Sequence, residues 1–321
     1  MSIPRLEEQP LAFSTVTEAF EELLRRIELN PARVAAASQR YNAVKATIEG
    51  ALPGKIVSQI GSFQRKTKIR PADLGDGLDI DVVVSFKRFT EYATGGNGVS
   101  PEGALETVRR ALTSNETYRV MAPEKDHPVV TLKYADGMLI ELIPAFKDGT
   151  GAYPHPGSTY ECYVIGTTSG VWEPADYDYD AAVISALNGI TSKKLIPCIK
   201  LVKAYFRNVK MPLKSFHTEL LVATIVPHII AEWDGKQYSY GYEFLLAQFL
   251  RDASKILTNP VQLAGSYSPP INSNLTQLSL ASLGTWLQGR ADEAWRLAQL
   301  SDKAQALVGW RDFFGDPFPA N

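Results

Sequence analysis

The chain has 321 residues, 45% of them hydrophobic and 21% charged, which is the usual balance of a globular protein with a sizeable core. Its formal net charge of −2 excludes a global positive field that would draw it to nucleic acid or anionic lipid. The two cysteines, Cys162 and Cys198, form neither a CxxC pair nor a cluster with histidine, which argues against a zinc finger or a secreted disulfide scaffold. Residues 1–10 carry no signal-sequence pattern and the apolar runs are too short to cross a bilayer, so a cytoplasmic protein without a membrane partner is expected.

In chain order, the first half begins with helical periodicity and continues with strand patterns. Apolar residues at spacings of three and four predict helix over 14–50, broken or kinked at Pro31, and a further helix near 105–112. Short apolar segments predict four strands, at 55–60, 78–86, 129–134 and 138–144. The tripeptide Ala135-Asp136-Gly137 between the last two is a good hairpin turn.

From about Asp180 the pattern changes to helical periodicity, with short connections that contain proline or glycine, among them Gly289. The predicted helical segments are 179–189, 195–208, 217–232, 242–257, 275–290 and 292–314. The sequence therefore predicts an α+β fold with two parts. A core with a mixed sheet and the N-terminal helices spans 1–178, and an all-helical lobe spans 179–321.

Two aspartates, Asp79 and Asp81, alternate with apolar residues in the predicted strand 78–86. Residues two apart in a strand face the same side, so the two carboxylates project together and repel each other. A divalent cation relieves that repulsion, and ligands that are all oxygen select Mg²⁺ or Mn²⁺. Taken alone, the pattern is equally consistent with an amphipathic strand whose polar face is acidic.

Three neighbouring features favour the metal hypothesis. Gly61-Ser62 follows a strand, and its free N–H groups and hydroxyl suit a phosphate, although such a dipeptide is more often an ordinary turn. Glu141 has apolar neighbours in the strand 138–144, which is costly without a partner. If that strand pairs beside the strand of Asp79, Glu141 completes a site of three carboxylates. The alternative is that Glu141 lies on an edge strand with its side chain in water. Asp136 is another candidate for the third acid, but aspartate is expected at a turn in any case. Cations also lie between the two motifs, at Arg65, Lys66, Lys68 and Arg70.

The helical half adds a second set of candidates. Lys200 and Lys203 are three residues apart and so share one face of a helix. Ser215 stands just before the next predicted helix, where its hydroxyl could cap that helix or contact a phosphate. Phe216 could stack on a base or pack in the core.

The chain contains, in this order, five motifs that resemble those of the nucleotidyltransferases related to cyclic GMP-AMP synthase and oligoadenylate synthase: GSFQRKTKIRP, LDIDVVVSF, IELIPAF, IKLVKAYF and KSFHTELLV. The resemblance covers most of the chain and is greatest to the bacterial branch, the cGAS/DncV-like nucleotidyltransferases (CD-NTases). It implies a DNA-polymerase-β-like nucleotidyltransferase core followed by a helical, nucleotide-binding lobe. It also implies an enzyme that makes a cyclic di- or trinucleotide from ATP or other nucleoside triphosphates with two Mg²⁺ or Mn²⁺ ions.

Within this resemblance, Gly61 and Ser62 match the motif that contacts phosphate. Asp79 and Asp81 match the first two metal ligands, and Glu141 falls at the third acidic position, where the family usually has aspartate. The extra methylene could change the metal geometry.

In the helical half, Lys203 and Ser215 match residues that reach the triphosphate, with Lys200 beside them. Phe216 matches the position of an aromatic residue, often tyrosine, that stacks on a base.

The resemblance further implies signalling in anti-phage (CBASS) defence, through a separate effector protein that the product activates. The chain lacks the zinc element that grips DNA in the animal sensor, so no direct activation by DNA is expected. The alternatives are a linear-oligonucleotide, RNA-tailing, protein- or drug-modifying transferase, and a silent nucleotide-binding protein.

Overall fold

The computed structural model describes residues 13, 15–71, 77–88, 100–148, 161–267, 270–273 and 275–319. Its helices and strands are, in chain order, α1 (Val16–Ile27), α2 (Pro31–Ala51), β1 (Ile56–Gln59), α3 (Gly61–Gln64), β2 (Leu78–Arg88), α4 (Pro101–Thr113), α5 (Glu116–Val120), β3 (Glu124–Asp126), β4 (Val129–Lys133), β5 (Met138–Lys147), β6 (Tyr163–Gly166), β7 (Trp172–Ala175), α6 (Tyr177–Ile190), α7 (Leu195–Asn208), α8 (Ser215–Gly235), α9 (Tyr242–Ile256), α10 (Gln277–Ala298) and α11 (Lys303–Phe314). Within these residues, no helix is both long and apolar enough to cross a membrane.

The chain forms two compact units, each of which is discontinuous in sequence. The α/β unit takes the described residues of Leu29–Ala186 and Leu263–Pro269. The helical unit takes those of Met1–Glu28, Leu187–Gln262 and Pro270–Asn321. Helix α1, which the sequence prediction grouped with the core, therefore belongs to the helical unit.

The α/β unit is built on one mixed sheet. Its strands follow the order β1-β2-β5-β4-β3, with β6 beside β5 and β7 beside β6. Strands β2 and β5 are parallel, and all the other pairs in the described sheet are antiparallel. A parallel pair needs a crossover connection, and the chain between β2 and β5 supplies one that includes α4. The predicted α+β class with a mixed sheet is confirmed.

The two faces of this sheet differ because side chains alternate along each strand. One face carries the main apolar core of the unit, on which α2 and α4 pack. Its buried members include Val44, Ile80, Val82, Leu105 and Leu142. The opposite face carries Asp81 and Glu141 and, next along the strands, a smaller buried cluster that contains Val83 and Ile143. Because successive side chains face opposite sides of the sheet, the acidic residues lie on the face opposite the main apolar core.

The core of the helical unit is rich in aromatic side chains. Phe20 of α1 packs edge-on against Trp310 of α11, with ring centroids 4.9 Å apart. Tyr205 of α7 stacks on Phe313 of α11 with ring centroids at 4.4 Å. All four side chains are buried, and Phe318 closes over Phe20 with a centroid separation of 5.4 Å. Helix α1 is held in this unit by the apolar stripe to which Phe20 belongs.

The predicted helix break at Gly289 is wrong. Helix α10 continues from Gln277 to Ala298 through Gly289, and the chain turns only at 299–302, before α11. A glycine inside a helix costs only about 1 kcal/mol relative to alanine, and buried Leu287 and Ala291 on either side hold the helix against its neighbours. Tertiary packing therefore outweighs the weak local signal.

Gly284 and Gly289 form a matched pair on α10. A Cβ atom at Gly284 would lie 2.9 Å from the backbone carbonyl oxygen of Ser254 on α9, whereas nothing lies within 4 Å of a Cβ at Gly289. We expect Gly289→Ala to raise the free energy of unfolding by about 0.5–1 kcal/mol, because alanine favours the helix. We expect Gly284→Ala to lower it, because one helix backbone must move. Urea denaturation measures both, and equal effects would contradict the close contact between the helices.

Candidate active site

Three acidic residues lie on one face of two neighbouring strands. Asp79 and Asp81 are on β2 and Glu141 is on β5, and the parallel register pairs Asp81 with Glu141. Asp79 lies two residues before Asp81 and is paired with Leu139. Strand β5 is internal, between β2 and β4, so Glu141 is not on an edge strand. The strand of Glu141 therefore pairs beside the strand of Asp79 and Asp81, which is the arrangement that the three-carboxylate hypothesis requires.

The electrostatics of this face are set by like charges. Burial, followed by repulsion from Asp81 and Asp79, raises the pKa of Glu141 above its ordinary value. A cation lies close by, since Nζ of Lys68 is 3.1 Å from the backbone oxygen of Asp79 and 3.7 Å from its Oδ2. Three carboxylates and one nearby ammonium leave this end of the two strands with an excess of negative charge.

The acidic residues provide the right atoms for a divalent ion. Carboxylate oxygens are the ligands that Mg²⁺ and Mn²⁺ prefer. Burial first, and then repulsion from Asp81 and Asp79, raises the pKa of Glu141, and a bound cation would relieve both effects. In the described part of the chain, no three Asp, Glu, His or Cys side chains are arranged to hold a metal ion. The three carboxylates are thus suitable metal ligands at neighbouring positions, but their side chains are not arranged around a common metal position.

The turn that follows β1 lies against Asp81. Gly61 has a φ of 69°, and a Cβ atom there would clash with the carboxylate of Asp81. The backbone N–H of Ile60 donates to the carbonyl oxygen of Asp81 at 2.9 Å. Ser62 follows in the first turn of α3 and is 9% exposed. Glycine at position 61 therefore provides both the left-handed backbone and the space that the carboxylate of Asp81 occupies.

The four basic residues between the two motifs have different surroundings. Lys66 and Arg70 are exposed, whereas Arg65 is buried. Lys68 is the member that contacts Asp79. The sequence prediction of nearby cations is therefore met by Lys68, and the alternative of a solvated charge fits Lys66.

Asp178, at the start of α6, is a residue that the sequence analysis did not select. Its carboxylate accepts hydrogen bonds from Nε2 of Gln64 at 3.1 Å, from Nζ of Lys147 at 3.2 Å and from the hydroxyl of Tyr163 at 2.9 Å. Gln64 lies on α3, two residues after Ser62, so Asp178 connects the Gly-Ser turn to β5 and β6. Acid-rich helix starts are common, and the local sequence gave no signal of these three donors.

Thr131 is a second residue that was not selected. The register of β4 and β5 places it directly opposite Glu141. It is 5% exposed, and its hydroxyl has no hydrogen-bond partner among the described residues. A buried hydroxyl without a partner costs about 1–3 kcal/mol. The Thr131 hydroxyl beside Glu141 is therefore available to hydrogen-bond a group bound at this face.

The two lysines of the helical unit differ in their surroundings. Lys203 of α7 forms a buried ion pair with Glu219 of α8, with Nζ and Oε1 2.8 Å apart and side-chain exposures of 5% and 1%. Lys200, one turn earlier, pairs with Glu28 at 2.7 Å, where the carboxylate is largely exposed. The ammonium of Lys203 is therefore held by an anion within its own unit.

Ser215 and Phe216 open α8. Ser215 is the first helical residue, after Lys214, and no side chain caps this helix end. Ser215 is exposed, so it does not act as the capping residue. Phe216 is half-buried, with its ring centroid 6.4 Å from that of His217. The predicted site residues thus fall into two groups, one in each unit.

Comparisons with known proteins find relatives in both sequence and fold. Residues 14–168 match the family model described as the Second Messenger Oligonucleotide or Dinucleotide Synthetase domain (SMODS). A probable cyclic nucleotide synthase of Bacillus cereus (strain VD146) is 25% identical over 292 residues, which cover 84% of this chain and 83% of that protein. CdnC of E. coli MS115-1, solved with ATP, has a TM-score of 0.68 at 15% identity and covers 95% of this chain and 99% of its own. CdnG of Bradyrhizobium diazoefficiens, solved with GTP, has a TM-score of 0.67 at 16% identity and covers 96% of both chains.

The family match and the site geometry fall on the same part of the chain. The matched segment includes the turn at Gly61, the acids of β2 and Glu141 of β5. The two solved structures share the fold over nearly the whole length. These similarities bear out the nucleotidyltransferase that the motifs predicted, and they point to the cGAS/DncV-like nucleotidyltransferase (CD-NTase) family, which this chain resembles in sequence and in fold.

Proposed function

We propose that this chain joins nucleoside triphosphates into a cyclic di- or trinucleotide second messenger by nucleotidyl transfer at the acidic face of β2 and β5. The observation that carries the proposal is the contact of the Gly61 turn with the carboxylate of Asp81, which is itself paired in register with Glu141. A turn suited to phosphate and a group of carboxylates suited to divalent ions therefore meet at one place. The relatives named above, one a probable cyclic nucleotide synthase and two solved with ATP or GTP, support the same substrate class.

Each residue of this face has a proposed role. The N–H groups at Gly61 and Ser62, with the Ser62 hydroxyl, bind phosphate oxygens. Asp79 and Asp81 hold two Mg²⁺ or Mn²⁺ ions together with Glu141, and ions bound there supply electrostatic stabilisation of an in-line displacement. Glu141 also accepts a hydrogen bond from the attacking hydroxyl and orients it.

The residues of the helical unit are proposed as further nucleotide contacts. Lys203 and Lys200 bind the triphosphate, Ser215 contacts it through its hydroxyl, and Phe216 stacks on a base. The ammonium of Lys203 lies on Glu219, so binding a phosphate means exchanging one anionic partner for another.

In the cell, we propose that the product acts in the cytoplasm as an anti-phage (CBASS) signal by activating a separate effector protein. The net charge of −2 supports nucleoside triphosphates over nucleic acid as partners, because a nucleic-acid strand needs a basic track. We accordingly expect no direct activation by DNA and no membrane partner.

Product formation tests the proposed reaction. The purified chain is incubated with ATP, GTP, CTP and UTP, each α-³²P labelled in turn, with Mg²⁺ or Mn²⁺, and the products are treated with phosphatase before chromatography and mass spectrometry. We expect a phosphatase-resistant product of cyclic mass, which falls to background in Asp79→Asn/Asp81→Asn because the ions lose their ligands.

The mass of the product also separates the alternative reactions. A linear product, or label transferred to an RNA or protein acceptor, would refute cyclisation. It would still be consistent with nucleotidyl transfer. A cyclic product that persists unchanged in the double variant would refute the assignment of Asp79 and Asp81.

The Gly61 turn allows a second test with a matched control. Gly61 and Gly54 both have a positive φ, of 69° and 79°, but only at Gly61 would a Cβ atom meet the Asp81 carboxylate, since nothing lies within 4 Å at Gly54. We expect both alanine variants to lose roughly 1 kcal/mol of stability from backbone strain, and Gly61→Ala to lose more because the Asp81 side chain must move. Only Gly61→Ala should also lose activity, by about tenfold or more, because the carboxylate is displaced.

Thermal denaturation and initial rates measure the two effects separately. Equal activity in the two variants at a temperature where both are folded would mean that contact between the turn and Asp81 has no part in the reaction.

The buried pair Lys203–Glu219 allows a test that separates nucleotide binding from folding. Replacing both members of a buried ion pair by apolar residues of similar size is often neutral for stability, whereas removing one member is strongly destabilising. We expect Lys203→Met/Glu219→Leu to keep the thermal midpoint near that of the wild type. The KM for ATP should rise by about tenfold or more, because a charged hydrogen bond contributes ~1.5–3 kcal/mol. An unchanged KM in a folded double variant would show that Lys203 has only a structural role.

A further inference from the structure

Asp178, the second residue of α6, joins three other elements of the α/β unit, and its two carboxylate oxygens have different partners. Oδ1 accepts a hydrogen bond from Nε2 of Gln64 on α3. Oδ2 accepts one from Nζ of Lys147 on β5 and one from the hydroxyl of Tyr163 on β6. One oxygen therefore holds the short helix that carries Ser62, and the other is held by the sheet.

The partners of Oδ2 are fixed by the sheet. Lys147 and Tyr163 lie opposite each other in the antiparallel register of β5 and β6. Tyr163 is buried, and the Nζ of Lys147 lies 3.5 Å from the centroid of its ring. The same Nζ donates to the backbone oxygen of Glu161 at 3.3 Å. The strand pairing and these contacts therefore hold Oδ2 at a defined place beside β5, the strand of Glu141.

Helix α3 is too short to hold its place alone. It has four residues, Gly61–Gln64, and no side chain caps its first turn. A helix is stabilised by its length or by its packing, and four residues supply little of the first. The backbone N–H of Thr67 donates to the carbonyl oxygen of Ser62 at 2.9 Å, which joins α3 to the loop that follows it. The hydrogen bond from Gln64 joins α3 to Asp178, 114 residues later in the sequence.

The position of α3 decides where the turn at Gly61 and Ser62 presents its N–H groups and its hydroxyl. Gln64 is the last residue of α3, two positions after Ser62, so a shift at one end of this helix is a shift at the other. Binding groups have to be held within about 0.5 Å of their productive geometry. A displacement of roughly 1 Å can cost about a hundredfold in rate, even when its cause lies away from the reacting atoms.

We propose that Asp178 is a positioning residue of the nucleotide site. Through Gln64 it fixes α3, and with it the phosphate-binding groups of Gly61 and Ser62, relative to β5 and the carboxylate of Glu141. Asp178 acts on the nucleotide only through Gln64. This inference rests on the proposed function, because it assigns Asp178 a part in the binding of a triphosphate by that turn.

Isothermal titration calorimetry on the full chain, with α,β-methylene-ATP and Mg²⁺, tests the proposal without depending on turnover. Gln64→Leu removes the donor to Oδ1, and Asp178→Ala removes the acceptor. Each should weaken binding of the analogue by about fivefold or more, since a hydrogen bond to a charged group is lost. The matched control Tyr163→Phe removes a hydrogen bond to Oδ2 and keeps the ring. It should bind the analogue like the wild type, whatever its thermal midpoint, because Gln64 keeps its acceptor.

A double variant and a conservative variant separate positioning from a general loss of stability. We expect Gln64→Leu/Asp178→Ala to bind no more weakly than the weaker of the two single variants, because the second change removes a contact that is already lost. Asp178→Asn should restore most of the binding, because its amide can still pair with the amide of Gln64.

The outcomes distinguish this inference from the function on which it rests. Unchanged binding in Gln64→Leu and Asp178→Ala, or effects that multiply in the double variant, would overturn the role of Asp178 alone. Failure of the wild type to bind the analogue would overturn the proposed function and this inference with it.

Discussion

The parallel pairing of β2 with β5 is the constraint on which the acidic site depends. It places Asp81 beside Glu141, and it holds only while Ile80, Val82 and Leu142 stay buried on the other face. A slip of one residue would turn Glu141 into the apolar core and bring Leu142 to the acidic face. The burial of the apolar residues thus fixes the register, and the register in turn fixes the neighbourhood of the carboxylates.

Both units hold charged groups in places that oppose folding. In the α/β unit, Glu141 is half-buried beside two other acids, and its pKa is raised as a result. In the helical unit, Lys203 and Glu219 are almost completely removed from solvent. Such arrangements are seldom the most stable choice, since apolar residues of similar size often serve as well. Their presence at positions singled out by the family motifs is consistent with selection for chemistry over stability.

Much of this architecture could be predicted from the sequence, because it follows from residue periodicity. Alternation gave the strand of Asp79 and Asp81 and the face on which they lie. Strands β3, β6 and β7, of three or four residues each, were not predicted, although β1, which is as short, was recognised from the apolar segment 55–60. Asp178 and Thr131 were missed because their importance comes from partners distant in sequence, such as Gln64 for Asp178 and Glu141 for Thr131. Local patterns cannot report such contacts.

The discontinuity of the helical unit has a consequence for synthesis on the ribosome. Helix α1 is made before the residues that bury Phe20, such as Trp310 and Phe318, which come much later in the chain. The whole α/β unit is translated in between. Phe20 on the apolar stripe of α1 therefore lacks these partners until Trp310 and Phe318 have been translated. Until then the nascent chain exposes apolar surface that favours aggregation, which makes it a natural client for a chaperone that binds amphipathic helices.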